Sequence, residues 1–273
     1  MIKGEADLKF LKSRIKDESK YKLVYRNWRE IFVNKSVPGD EGFINIKVGS
    51  HLLSLRRGSL MPSLMTYVEV FRDKAHVDCE GFDGSDAGVV VDLGANEGYY
   101  ALFLKENNPD LRVIAVEPVK PTFEVLKRNV ANNQLSKVTL VNKAVTAKSG
   151  YVTFEVVPEA TAIASFDIGL QDRSWLNPER VKRIRVESTT LPELFNEHGM
   201  ERVGILKLDV EGSELGVLKS SKSVLPLIER VVVEYHSPSL RNNCIKFLES
   251  NGYKLVKERK SACGDLYFMR CKA

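Results

Sequence analysis

The chain has 273 residues, enough for one substantial α/β core with an added segment and short for two independent domains. Its 41 basic and 36 acidic residues give a formal charge of +5, an excess too small and too dispersed to mark a nucleic-acid binder. The four cysteines, Cys79, Cys244, Cys263 and Cys271, form no CxxC pair, and the sequence has no secretory h-region and no run of about 18 apolar residues; a reduced, cytoplasmic chain without a transmembrane segment is expected.

Residues 1–36 are charged, with Leu8, Leu11, Ile15, Leu23, Trp28, Ile31 and Phe32 at roughly helical spacing, which predicts one or two amphipathic helices. Their apolar face carries few large residues, so it reads as a packing or dimerisation surface rather than a membrane-surface helix, and a homodimer is one expectation. The turn-rich VPGDEG at 37–42 precedes an alternating stretch, Phe43 to Leu55, that reads as a strand or hairpin. Residues 1–60 are thus expected to be an accessory segment, and 61–273 the main domain.

From Val89 onward strand and helix patterns alternate: strand 89–93, helix 98–107, strand 112–117, helix 121–134, strand 138–143. That order builds βαβ units with right-handed crossovers. Val152 to Val157 and Ile184 to Glu187 read as further strands around the aperiodic stretch 158–183, a candidate lid. The pattern resumes with strand 204–209, a helix near 213–221, strand 230–235, helix 239–250 and an antiparallel hairpin near 253–258 and 265–270. The expected fold class is α/β: a doubly wound, Rossmann-like sheet, mostly parallel with an antiparallel C-terminal hairpin strand, plus an N-terminal helical and strand extension.

The densest signal is Val89 to Gly98, VVVDLGANEG, a buried strand that stops at Asp92 and turns through two glycines into a helix starting at Tyr99. Gly94 and Gly98 lack the Cβ atoms that would hold a ligand away from the backbone, and the helix start faces that ligand. Glu117 and Pro118 end the next strand, 25 residues beyond Asp92, where an acid in a doubly wound fold hydrogen-bonds both ribose hydroxyls. The turn reads DxGxNxG rather than GxGxxG, which argues against NAD. It resembles instead the first motif of class I S-adenosylmethionine-dependent methyltransferases.

A second signal is KLDVEGSE, Lys207 to Glu214, at the end of an apolar strand. Alternation puts Lys207 and Asp209 on one face, near the carboxyl ends where ligands of open sheets collect. A structural ion pair is the plainer reading of the two. Glu211 and Glu214 also sit where acids complement a helix dipole. The third signal is VVVEYH, in which Glu234 and His236 share a face. A histidine there, with an ordinary pKa of about 6.5, is placed to take a proton from an attacking hydroxyl, unless it merely caps the next turn. Asp209, Glu211 and His236 have the chemistry to gather around a divalent cation, but their spacing is no metal signature and no metal site is expected; His76, Asp78 and Glu80, on one face of a candidate strand, are weaker still.

Taken together, DLGANEGYY, AVEP, KLDVEGSE and VEYH occur in the order and approximate spacing of the FkbM family of methyltransferases, which the chain resembles from about residue 60 to the end. The resemblance implies S-adenosylmethionine-dependent methylation of a hydroxyl oxygen on a small molecule or sugar. Carried over, it implies a cofactor pocket of Asp92, Gly94, Asn96, Gly98 and Glu117, flanked by Tyr99 and Pro118, with Asp209 near the reacting methyl. His236 or Asp209 would then serve as base or acceptor-orienting group, Lys207 would fix Asp209, and Glu211 would contact substrate. The competing readings are an RNA methyltransferase, prompted by Arg173, Trp175, Arg180, Lys182, Arg183 and Arg185, a non-catalytic S-adenosylmethionine-binding protein, and a nicotinamide oxidoreductase. Nucleic acid is not the expected partner, since DVEG stands where many base N-methyltransferases carry an NPPY-type tetrapeptide.

Overall fold

The computed structural model describes residues 42–56, 59–156, 164–165, 181–260 and 264–271. The amphipathic segment 1–36 and nearly all of the candidate lid lie outside these residues.

A hairpin of β1 (Phe43–Val48) and β2 (His51–Arg56) opens the described chain and is followed by helix α1 (Leu60–Phe71). The alternating core then runs through β3 (Val89–Leu93), α2 (Tyr99–Asn107), β4 (Arg112–Val116), α3 (Lys120–Asn132) and β5 (Val138–Val141). A second group of strands follows: β6 (Ala144–Val145), β7 (Gly150–Val156), β8 (Ala164–Ser165) and β9 (Lys182–Thr189). The chain returns to the core through α4 (Leu191–Glu197), β10 (Val203–Leu208), α5 (Glu214–Ser220), β11 (Ile228–Tyr235), α6 (Pro238–Ser250), β12 (Tyr253–Arg259) and β13 (Gly264–Arg270).

Seven strands form the central sheet in the order β12-β13-β11-β10-β3-β4-β5. Pairing is parallel from β11 through β5, while β13 runs antiparallel between β11 and β12. The chain moves outward from β3 through β4 to β5 and then returns to the other side of β3 as β10. The carboxyl ends of β3 and β10 therefore diverge into loops at a topological switch point, where doubly wound sheets bind ligands. The doubly wound sheet and its antiparallel strand are as the sequence predicts.

The β-branched runs explain why the sheet is central. Val90, Val113, Ile205 and Val232 face α1, α2 and α3, and Val91, Ile114, Leu206 and Val231 face α4, α5 and α6; both sets are buried. A strand buried on both faces has no polar alternation left, which is why these segments read as continuous apolar runs. Ile44, Ile46, Leu53 and Leu55 of the first hairpin join the same core as α1 and α2. Its outer strand is covered by α3: Asn129 Oδ1 accepts the Ser54 N–H at 2.7 Å, and Asn133 exchanges hydrogen bonds with both backbone groups of Leu52. Side-chain amides thus stand in for a neighbouring strand.

Two expectations need correction. Residues 72–88 are irregular, so His76, Asp78 and Glu80 do not share a strand; His76 sits at φ 65, and Asp78 pairs with Lys257 at 3.0 Å. The segments 60–71 and 191–197, predicted as no element, are helices; the second starts in a capping box between Thr190 and Glu193. Among the described residues no helix is long and apolar enough to cross a membrane.

Candidate active site

The turn after β3 is fixed from three sides. Both Gly94 and Ala95 donate their N–H to Val116 O on β4, and Asp209 donates its N–H to Leu93 O. Gly94, at φ 82, packs directly against the Asp209 backbone; an added Cβ would lie 1.8 Å from the Asp209 carbonyl oxygen. Only glycine fits, because the two strand ends touch there. Gly98 opens α2 at φ 87, with an added Cβ only 2.5 Å from Leu126 Cδ1. Asn96 also occupies the left-handed region, at φ 49, and its side-chain oxygen is buried with no hydrogen-bond partner.

Glu117 reaches this turn from the end of β4. Its Oε2 accepts the Asn96 N–H at 3.0 Å and its Oε1 the Val119 N–H at 2.8 Å. Burial pushes its carboxyl up to about 8, against the pull of these two N–H groups and of the nearby Lys207. Each oxygen retains a lone pair, so the group has room to accept two further hydroxyls. Asn142 Nδ2 holds the carbonyls of Glu117 and Pro118 at 2.8 and 3.1 Å. Asp92, Gly94, Asn96, Gly98, Glu117 and Pro118 thus lie at and just beyond the ends of β3 and β4, with the Asn96 side-chain oxygen left without a partner.

Tyr99 does not join them. It is 2% exposed, its ring meets Tyr67 edge-on, and its hydroxyl donates to Glu97 Oε2 at 2.7 Å. Glu97, missed in the sequence, knots the region together. It also binds Ser63 Oγ of α1 at 2.6 Å, and its backbone carbonyl accepts from Asn129 Nδ2 of α3 at 2.8 Å.

Parallel register sets Lys207 beside Asp92. The ammonium lies 3.1 Å from Asp92 Oδ1 and 3.4 Å from Asp209 Oδ2, and donates to Gly94 O at 2.9 Å. Burial works against its charge, but Asp92 and Asp209 outweigh that and hold its pKa above the ordinary lysine value. Asp209, although burial opposes its charge too, is held below the usual carboxylate range by Lys207 and then His236. The predicted Lys207–Asp209 pair is therefore a triad with Asp92.

His236 follows β11 and faces a ring of acids. Its Nε2 lies 3.9 Å from Asp209 Oδ1, 3.7 Å from Glu211 Oε2 and 3.6 Å from Glu234 Oε1. Its Nδ1 is 3.7 Å from Glu214 Oε1. Glu214 also accepts the N–H groups of Val210 and Gly212, which shapes the turn that presents Glu211 at φ 55. Burial, followed by Asp209, Asp265 and Glu211, pushes the Glu234 carboxyl well above its ordinary range. Behind it stands a group invisible in the sequence: His76 Nε2 is 3.5 Å from Glu234 Oε2, and Asp265 Oδ1 is 3.0 Å from His76 Nδ1.

A family model described as the methyltransferase FkbM domain matches residues 92–255, from the acid that ends β3 to the first residues of β12. The chain belongs to this family. Methyltransferase sdnD of Sordaria araneosa is 28% identical over 229 residues, covering 74% of this chain and 86% of that protein. The 31-O-demethyl-FK506 methyltransferase FkbM of Streptomyces tacrolimicus is 26% identical over 216 residues, covering 71% and 82%. The hexuronic acid methyltransferase AglP of Haloferax volcanii is 27% identical over 155 residues, covering 57% of this chain and 59% of its own length. This FkbM-family chain is thus an S-adenosylmethionine-dependent methyltransferase, built around the switch point that β3 and β10 create.

Half of the basic cluster that prompted the RNA reading falls on β9. There Arg183 pairs with Glu155 at 2.9 Å and Arg185 lies over the Tyr151 ring at 3.9 Å. Arg173, Trp175 and Arg180 lie outside the described residues.

Proposed function

We propose that this methyltransferase transfers the methyl group of S-adenosylmethionine to a hydroxyl oxygen of a small molecule or sugar. The cofactor would run from the Gly94–Gly98 turn to Glu117, and the acceptor would face Asp209, Glu211 and His236. One observation carries the reading: Lys207 ties the two halves together, donating to the Gly94 carbonyl while pairing with Asp209. The names of two relatives agree, one referring to a 31-O-demethyl compound and one to a hexuronic acid.

Bound S-adenosylmethionine supplies a methyl group already electrophilic on its sulfonium. The protein's remaining tasks are to hold the acceptor oxygen in line with that methyl and to provide a place for its proton. In this reading Glu117 accepts from the two ribose hydroxyls, and Asp92 with Asn96 faces the methionine portion. Lys207 fixes Asp209 in place. His236 and Asp209 orient the acceptor oxygen, and its proton leaves to the surrounding carboxylates.

Calorimetric titration with S-adenosylhomocysteine, and separately with NAD, tests the cofactor half. Binding of the homocysteine analogue that weakens in Glu117→Ala is expected; no binding, or binding of NAD instead, would overturn the reading. A panel of hydroxyl- and amine-bearing acceptors with labelled methyl donor tests the second half, with methyl ethers as the expected products. Unchanged turnover of His236→Ala at saturating acceptor would remove His236 from the mechanism.

A further inference from the structure

The corner formed by the ends of β10 and β11 holds an unusual donor set. One donor atom each from Asp209, Glu211 and His236 lies within 4.8 Å of the other two. The separations of 3.7 and 3.9 Å from His236 Nε2 to the Glu211 and Asp209 oxygens exceed hydrogen-bonding distance. The imidazole is therefore surrounded by acceptors without docking on any of them. Its side chain is 7% exposed, and its Nδ1 is buried with no hydrogen-bond partner. That nitrogen faces Glu214, while Nε2, which faces Asp209, Glu211 and Glu234 beyond hydrogen-bonding distance, is the atom left open to a ligand.

Charge points the same way. Lys207 is shared between Asp92 and Asp209, so Asp209 spends one oxygen on the lysine and turns the other toward His236. Glu211, Glu214 and Glu234 crowd the same imidazole. Donors around a cation with bonds of about 2.1 Å stand roughly 3 Å apart, so side-chain shifts of about 1 Å or less would close this set.

We propose that Asp209, Glu211 and His236 hold a divalent cation of the Mg2+ or Mn2+ class at the ends of β10 and β11. Two carboxylates and one imidazole suit such an ion and leave coordination positions open. The cation's role, though not its binding, rests on the methyl-transfer reading above. The acceptor's hydroxyl oxygen takes an open position, and the cation lowers its pKa. The proton leaves to solvent, an oxygen lone pair forms the new C–O bond, and the C–S electron pair stays on sulfur. His76 and Asp265 stand behind Glu234. They do not form a second ion site, because Asp265 already accepts from the His76 N–H, Arg259 Nε and the Tyr267 hydroxyl as well as facing the His76 ring.

The test is titration of untagged, chelator-stripped full-length protein with Mn2+, reading free Mn2+ by electron paramagnetic resonance. One bound Mn2+ per chain, displaced by excess Mg2+, is expected, with affinity weaker by about tenfold or more in both His236→Ala and Glu211→Gln. Glu124→Gln, on the exposed face of α3, should bind as wild type, and circular dichroism checks that each variant is folded. Absence of Mn2+ binding by the wild type, or wild-type affinity in both site variants, would overturn the proposal. Titration with S-adenosylhomocysteine in the presence of chelator separates the two readings. Retained analogue binding without Mn2+ binding refutes the cation alone, whereas loss of analogue binding refutes the cofactor site and leaves the Mn2+ result to decide the cation.

Discussion

Glu117 should make cofactor affinity rise with pH across the neutral range. Its carboxyl is buried, and burial places its pKa at about 8 in the free protein. To accept from both ribose hydroxyls it must be the anion, so binding below pH 8 has to expel a proton. Affinity then falls about tenfold for each pH unit below the pKa. Between pH 8 and pH 6 the loss is about fiftyfold, about 2.3 kcal/mol, and above pH 8 the profile flattens. Calorimetry with S-adenosylhomocysteine from pH 6 to pH 9, in buffers of different ionisation enthalpy, reads both the affinity and the proton released. Glu117→Gln should bind more weakly and with a flat profile. A flat wild-type profile between pH 6 and pH 8 would refute the reasoning, as would the same slope in Glu117→Gln, which would assign the proton to another group. Stability carries the opposite sign. A folded pKa above the unfolded value means that this group's contribution is full below about 4.5 and is lost as pH rises through about 8.

Two further outcomes follow from the switch point. Lys207→Met leaves Asp92, which is fully buried, without its cation; urea unfolding should show a loss of about 3–5 kcal/mol, with partial recovery in the Asp92→Asn/Lys207→Met double variant. A loss below about 1 kcal/mol would refute the ion-pair reasoning. Gly94→Ala and Gly42→Ala share nearly the same backbone, φ 82 and φ 81, but an added Cβ meets Asp209 O at 1.8 Å in the first and nothing within 4 Å in the second. Gly42→Ala should cost about 1–2 kcal/mol and leave analogue binding intact. Gly94→Ala should cost clearly more and abolish binding, and equal losses in the two would show that the close approach has no energetic weight.

The core strands were legible because burial on both faces leaves an unmistakable pattern: VVV at 89–91 and again at 231–233, each flanked by a polar strand end. The glycine turn after β3 was legible because two glycines and an acid fall at fixed offsets from such a strand. Helix α1 was not, since LMPSLMTYVEVF places a proline in its first turn and mixes in β-branched and aromatic residues of low helix propensity. At seven residues α4 is too short for a period to show. The His76–Asp265 contact joins residues 189 apart in sequence, on an irregular loop and an antiparallel strand. No local pattern encodes it, because the strand order that brings β13 beside β11 is a property of the assembled sheet. Glu97 was in plain view within GANEG, yet its work is tertiary, holding Ser63 and Tyr99.

The same sheet order explains why one buried ammonium has such reach. In the proposed function β3 would supply the cofactor turn and β10 the acceptor corner, and the two strand ends touch at Gly94 and Asp209 with no space for a Cβ between them. Lys207 stands at that contact with Asp92 on one side and Asp209 on the other, 3% exposed, where a charge is weakly screened. Each carboxylate makes the lysine's charge tolerable, and the lysine in turn holds the Asp209 carboxyl below the usual carboxylate range. On that proposal, the distance between donor and acceptor subsites would be set by an ion triad in the sheet rather than by the loops around it. Those loops can vary with substrate while the in-line geometry of methyl transfer is preserved.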